Sequence, residues 1–199
     1  MLSEKDAEIN SILFNKENLI VPDGIAIVKT ANYLGYDIKE RITGVDLAEY
    51  LLSLANKNKY KVYLFGASSE VMEKLENVIE TKYPNIKLVG STNGYVKDKN
   101  AVMEYIKTTK PDIVMLALGI PMQEKLINKH INDFKKGIFI GVGGSFDVLS
   151  GSKKRAPKIF IKLNLEWLYR IMCEPKRITR FIKHNLRFVL KIIKEKWNN

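Results

Sequence analysis

IFIGVGGSFDVLSGSKKRAP, residues 138–157, is the stretch from which the chain is best read. It opens as a short apolar strand over Ile138–Val142, and Gly143 and Gly144 then break the run. Ser145 follows, and an apolar helical turn carries Phe146, Val148 and Leu149. Gly151 ends that turn, and Lys153, Lys154 and Arg155 come straight after it. A strand that empties through glycines into a helix start points unpaired backbone N–H groups outward. Small residues there let a phosphate come close. A tight strand-to-helix corner without any ligand would read the same way, and the basic cluster just beyond shifts the reading toward an anion.

Strands of the same kind lie upstream. KVYLFGA, residues 61–67, and DIVMLALG, residues 112–119, are almost wholly apolar. Strands of that composition are buried on both faces, as in a parallel sheet covered by helices. A weaker strand is expected over Ile86–Gly90 and a short one over Leu19–Val21. Between them the apolar spacing predicts helices over residues 3–15, Ile25–Leu34, Asp46–Ala55, Glu70–Tyr83, Lys99–Thr108 and Pro121–Asn132. The fold class is therefore α/β, a Rossmann-like, mostly parallel sheet flanked by helices. In such folds ligands sit beyond the carboxyl ends of the strands. Those ends are Pro22-Asp23-Gly24, Gly66-Ala67-Ser68, Gly119-Ile120-Pro121 and Gly143-Gly144-Ser145.

The character changes after Pro157. Residues 1–157 read as the α/β core and residues 158–199 as a basic, helical C-terminal appendage. One helix is expected over Lys158–Glu174 and another over Arg177–Trp197, with Pro175 between them. The second has Ile178, Phe181, Ile182, Leu186, Val189 and Leu190 on one face and Arg180, Lys183, Arg187 and Lys191 opposite. A basic amphipathic helix fits an anionic membrane surface or a partner, and it also fits a helix packed on the sheet with its basic side in water.

Composition narrows the classes further. A chain of 199 residues with 46% hydrophobic content has enough apolar surface for one full core. Lys and Arg number 33 against 22 acids, a net charge of +11 that suits anionic partners. The single cysteine, Cys173, excludes an internal disulfide and a cysteine-rich metal site, and its apolar helical context predicts burial. The polar start lacks the order of a secretory signal, and no apolar run approaches the roughly 18 residues of a membrane span. The expected location is cytoplasmic. His130 and His184 have no metal-ligand companions in sequence, and no zinc-protease or Walker motif is present.

Candidate chemistry follows from position. Asp23, between a proline and a glycine, suits a general base or an Asx turn. Arg41, Asp46, Gln123, Glu124 and Asp147 stand near predicted strand ends or helix starts. Gln123 could reach a ligand or cap backbone, and Asp147 could meet a ribose hydroxyl or Arg155. Arg170, Arg177 and Arg180, spaced seven and three apart, would share one face of a continuous helix and match phosphate oxygens.

Taken together, VPDGIAIV, ERITGVDL, VYLFGA, LALGIPMQEKL, GVGGSFDVLSG, KRAP and LEWLYRIMCEPKR, in this order, resemble the WecG/TagA/CpsF glycosyltransferase family. The resemblance covers about Leu19 to Arg180. It implies an enzyme that moves N-acetylmannosamine from its UDP-sugar to the 4-hydroxyl of N-acetylglucosamine on undecaprenyl diphosphate, in building the wall teichoic acid linkage unit. Inversion at the anomeric carbon, no metal and no cofactor are implied with it. Asp23 matches the family's catalytic base, and Arg41 and Gln123 match pocket residues. Gly143, Gly144 and Ser145 resemble part of the nucleotide-sugar site, and Arg170, Arg177 and Arg180 match arginines of a C-terminal appendage that contacts the diphosphate.

The partners implied are a UDP-sugar donor, a polyprenyl-diphosphate-linked sugar acceptor and an anionic membrane surface on the inner face of the cell membrane, where the protein would be peripheral. Family members can self-associate through the surface the tail would otherwise cover, so a homo-oligomer is a further expected partner. The resemblance also implies an upstream strand ending in a Thr-x-Asn motif that lines the pocket; no such motif stands before Asp23, and the core is expected to be N-terminally short. That departure leaves an inactive nucleotide-binding remnant as one alternative, beside the same fold transferring N-acetylmannosamine uronic acid or glucose. A dinucleotide-binding module lacks its GxGxxG here. Nucleic acid is not an expected partner, because the basic face has few interleaved aromatics.

Overall fold

In the computed structural model four strands form one parallel sheet in the order β2-β1-β3-β4. They are β1 (Lys61–Gly66), β2 (Lys87–Thr92), β3 (Ile113–Ala117) and β4 (Ile138–Gly141). The structure describes residues 6–175 and 178–179. These fall into two units, one of residues 6–20 and 42–154 that contains the sheet, the other of residues 21–41 and 155 onward.

The apolar runs take the centre of the sheet. Every residue of β1 from Val62 to Gly66 is buried, and so are Ile113 to Leu116 of β3, whereas β2 and β4 are only partly buried. Side chains alternate between faces along a strand, and two cores result. Val62, Leu64, Ile113 and Met115 pack with α3 (Gly44–Asn58), α4 (Ser69–Lys82) and Phe146 of α7 (Ser145–Leu149). Tyr63, Phe65, Val114 and Leu116 pack with Met103 and Ile106 of α5 (Lys99–Thr109) and Leu126 of α6 (Met122–His130). Each such large apolar side chain, fully buried, contributes about 1.5–3 kcal/mol.

The chain leaves β1 through α4 to β2 on one side and reaches β3 on the other. The carboxyl ends of β1 and β3 therefore form the point where winding reverses, the position at which ligands enter such sheets. Backbones meet closely there. The Ala67 N–H donates to Ala117 O at 3.0 Å, and the Gly94 N–H donates to Ala67 O at 2.8 Å. A Cβ on Gly66 would lie 2.5 Å from the Ala117 carbonyl carbon.

Some helix starts carry side-chain caps. Thr43 Oγ1 accepts the Asp46 N–H at 3.1 Å and donates to Asp46 Oδ2 at 2.6 Å, a reciprocal cap for α3. Asp6 caps α1 (Ala7–Phe14), and its carboxylate also meets Lys125 Nζ of α6 at 2.7 Å. That ammonium is the main cause holding the Asp6 carboxyl below its ordinary range.

In the other unit α2 (Ile25–Tyr33) forms where expected. Two expectations fail. Leu19–Val21 forms no strand, and Leu19 is 89% exposed. The single helix expected over Lys158–Glu174 is two, α8 (Lys158–Lys162) and α9 (Glu166–Cys173). The break is Asn164, in the left-handed conformation at φ +58°. The Leu165 N–H then donates to Phe160 O at 2.7 Å and the Asn164 N–H to Ile161 O at 3.0 Å. This is a Schellman ending, with asparagine in the place glycine usually takes. Cys173, expected to be buried, is exposed. The helix expected over Arg177–Trp197 lies outside the described residues apart from Ile178 and Thr179. Among the described residues no helix is long and apolar enough to cross a membrane.

Candidate functional site

Gln123 is the centre of the candidate site in the sheet-bearing unit. It enters on the first turn of α6 and is 1% exposed. Its Oε1 accepts two backbone N–H groups, from Gly119 and from Gly143, each at 3.2 Å. Its Nε2 donates to Glu124 Oε1 at 2.8 Å. One carboxamide thus ties the turn after β3 to the turn after β4. Both tied glycines have positive φ, +80° at Gly119 and +50° at Gly143. That region is costly for residues with a Cβ.

Gly141 explains how the carboxamide gets there. A Cβ at this position would overlap Gln123 Nε2 and lie 2.9 Å from Cδ and 3.1 Å from Cγ. The first glycine of GVGG is therefore the slot through which Gln123 passes. Sequence reasoning concentrated on Gly143 and Gly144 and missed it. Its signal was a glycine at the end of an apolar strand, which marks close approach.

The turn that follows is folded inward. Ser145 is 5% exposed, and its Oγ donates to Val142 O at 2.7 Å. Its N–H donates to the same carbonyl at 3.1 Å. Gly44 of α3 packs against it, with space for a Cβ ending 3.1 Å from Ser145 Oγ. Gly144 is the exposed member of the turn. Asp147, in α7, is half-buried and 3.9 Å from Lys153 Nζ through its Oδ1. Asp46 serves the cap of α3 described above. Glu124 Oε2 is buried without a hydrogen-bond partner among the described residues, so one acceptor stands unused beside the Gln123 carboxamide.

In the other unit the structure brings two of the expected arginines onto one carboxylate. Glu166 is 4% exposed. Its Oε2 accepts Arg41 Nη2 at 2.8 Å and its Oε1 accepts Arg170 Nη2 at 2.9 Å. Arg41 is nearly covered, its side chain 12% exposed, and that of Arg170 is 51% exposed. Two cations share one anion, so the group keeps a net positive charge and holds both guanidinium planes by charge-assisted bonds. Glu166 was not singled out from sequence. Its only local signal was the four-residue spacing to Arg170, common on any helix.

Asp23 is exposed and stands just before α2, whose first cap is Gly24. It follows an extended loop and not a strand. Arg177 and Arg180 lie outside the described residues.

Comparison with known proteins follows the same lines. The family model for the glycosyl transferase WecG/TagA/CpsF family matches residues 1–199. A relative from Bacillus subtilis (strain 168), an N-acetylglucosaminyldiphosphoundecaprenol N-acetyl-beta-D-mannosaminyltransferase, is 41% identical over 194 residues, 98% of this chain and 75% of the relative. A protein of the same name from Staphylococcus aureus (strain NCTC 8325 / PS 47) is 40% identical over 185 residues, 92% of this chain and 72% of the relative. One from Bacillus spizizenii is 38% identical over 170 residues, covering 85% and 66%.

Proposed function

We infer what this chain does from the family to which it belongs, the glycosyl transferases of the WecG/TagA/CpsF family. The reading is transfer of N-acetylmannosamine from UDP-N-acetylmannosamine to the 4-hydroxyl of N-acetylglucosamine carried on undecaprenyl diphosphate. The names of the relatives specify that sugar and that acceptor for those proteins. Identities of 38–41% support the same pair here.

The reaction is read as a single in-line displacement without a metal. The acceptor oxygen bonds to the anomeric carbon, the bond from that carbon to the UDP oxygen breaks, and the configuration inverts. Asp23 takes the hydroxyl proton as the new bond forms, as general-base catalysis requires. UDP departs with the electron pair, and cationic and N–H donors offset its developing charge. Arg170, with Arg177 and Arg180, supplies that charge in this reading. Arg41, fixed by Glu166, holds the arrangement in register. Gly143, Gly144 and Ser145 form the wall against which the nucleotide sugar lies, with Gly144 the member open to it.

The observation that carries the reading is the Gln123 bridge. A buried carboxamide spends its acceptor oxygen on two glycine turns at the carboxyl ends of β3 and β4. Those ends are the ligand edge of this sheet class. Rigid turns at that edge suit a site that must be shaped before substrate arrives.

The protein acts as a peripheral enzyme at the inner membrane face, where a polyprenyl acceptor resides, and it binds the anionic surface through its basic tail. The decisive experiment incubates the full chain with UDP-N-acetylmannosamine and a lipid-linked N-acetylglucosamine acceptor, then separates lipid products by chromatography. The expected result is a disaccharide-lipid product that Asp23→Asn abolishes. Product from the uronic acid or glucose donor in its place moves the donor assignment. Absence of product with every UDP-sugar, with UDP still bound, favours a nucleotide-binding remnant.

A further inference from the structure

The carboxyl end of α6 carries a second polar group. His130, the last residue of α6, is 6% exposed. Its Nε2 lies 3.0 Å from Asn100 Oδ1. Its Nδ1 lies 3.2 Å from Asp133 Oδ2 and 3.6 Å from Glu104 Oε1. Asn100 Oδ1 also accepts Lys129 Nζ at 2.8 Å. An ammonium can only donate, so the asparagine atom it meets is the oxygen. The imidazole must therefore donate from Nε2, which leaves the lone pair of the neutral ring on Nδ1. That lone pair faces two carboxylates. Three electron-rich groups that converge in this way suit a bound metal ion.

We propose that His130 Nδ1, with the carboxylates of Glu104 and Asp133, forms a site for one divalent transition-metal ion of the zinc or manganese class. The three ligand atoms lie within 4.8 Å of one another. Ligands at about 2.0–2.2 Å from a zinc ion stand about 3–4 Å apart, so a small closure completes the site. The carboxylates are free to make it, since Glu104 is 52% and Asp133 45% exposed in their side chains, while the imidazole is fixed by burial. Asn100 supplies the outer hydrogen bond that sets the tautomer of a ligating histidine. Lys107 Nζ takes Glu104 Oε2 at 2.6 Å and leaves Oε1 toward the ring. One imidazole and two carboxylates, without thiolate, suit zinc, manganese or cobalt above magnesium or calcium, which prefer oxygen alone. The carboxyl end of a helix also favours a cation.

Such an ion joins α5, through Glu104, to α6 and to the short 3-10 turn Ile131–Asp133. Gln123 begins the same helix, about 10 Å away along its axis. The ion would anchor the helix that sets the glycine turns without touching the reaction.

The test uses the full chain in a Cys173→Ser background, stripped with chelator and titrated with zinc chloride by calorimetry at neutral pH, with thermal melts in parallel. One equivalent should bind, and Tm should rise saturably with zinc but not with equal magnesium. Glu104→Gln and Asp133→Asn, both at exposed positions, should each weaken binding by about tenfold or more, whereas His184→Gln should not. An absent isotherm overturns the proposal. So does binding that survives both carboxylate variants. A Tm that falls in those variants without any zinc dependence makes the group an imidazolium ion pair only, which also overturns it. None of these readouts depends on glycosyl transfer.

Discussion

Glu166 Oε2 receives Arg41 Nη2 at 2.8 Å across 125 positions of sequence. The same carboxylate receives Arg170 from one turn further along α9. The two arginines differ sharply in exposure, and that difference makes the arrangement testable. Glu166→Ala leaves the covered Arg41 guanidinium without this partner and should cost about 3 kcal/mol. Arg170→Ala removes a half-exposed partner and should cost about 0.2–1 kcal/mol. Urea denaturation of both variants checks the order, and equal losses would contradict it.

Gln123→Ala should release the N–H groups of Gly119 and Gly143. These donors are part-buried, so each left unpaired costs at most about 1–3 kcal/mol, and the two turns lose their common tether. The expected outcome is a lower denaturation midpoint together with loss of hydrogen-exchange protection at Gly119 and Gly143. In the proposed reading of this edge as the nucleotide-sugar site, UDP affinity should fall further than stability alone explains. A variant with unchanged protection at both glycines would show that the tether is dispensable.

Gly141→Ala should be destabilising by about 1–3 kcal/mol, the usual cost of overpacking. The added methyl has to displace the Gln123 side chain. Once Gln123 is alanine the obstruction is gone, so the second substitution should cost much less in the Gln123→Ala background. A double-mutant cycle measures the coupling. Strict additivity would mean that position 141 is crowded by something else.

Asp112 gives a pH dependence with a definite sign. Its Oδ1 meets Lys136 Nζ at 2.6 Å, and its Oδ2 accepts the Lys61 N–H at 2.9 Å. The Lys136 ammonium, then the Lys61 N–H, holds its carboxyl below the ordinary range. A depressed folded-state value means stability that is present above the unfolded value, about 3.9, and lost as pH falls through the folded one. Asp112→Asn should therefore cost about 1 kcal/mol at neutral pH. Wild type and variant should converge in acid, as chemical denaturation at pH 7 and near pH 2 would show.

The sheet and its helices were legible in sequence because β1 and β3 are apolar throughout, and only burial on both faces calls for that. The start of α3 was read two residues late, at Asp46, because the Thr43 cap was not recognised. Leu19–Val21 misled because three apolar residues do not separate a strand from an exposed loop. The division of α8 from α9 was hidden because asparagine serves as a left-handed ending less often than glycine does. The site was less legible than the fold. Gln123 was recognised as a candidate, but one of the two turns it ties lies twenty residues further along the chain. Glu166 was invisible because its principal partner is remote in sequence. His130 looked solitary for the same reason, since Glu104 lies on another helix.

The strand order has a consequence in time. β1 is synthesised first, yet it sits between two strands that do not yet exist when it emerges. Its second neighbour, β3, follows about 50 residues later, a delay of several seconds at a ribosomal pace of about 5–20 residues per second. During that interval the apolar segment Val62–Phe65 has an open edge in the nascent chain, the condition under which strands recruit chaperones or one another. Protein yield in a host should accordingly respond to trigger-factor supply and to slowed translation between residues 66 and 113, even where the finished molecule is equally stable.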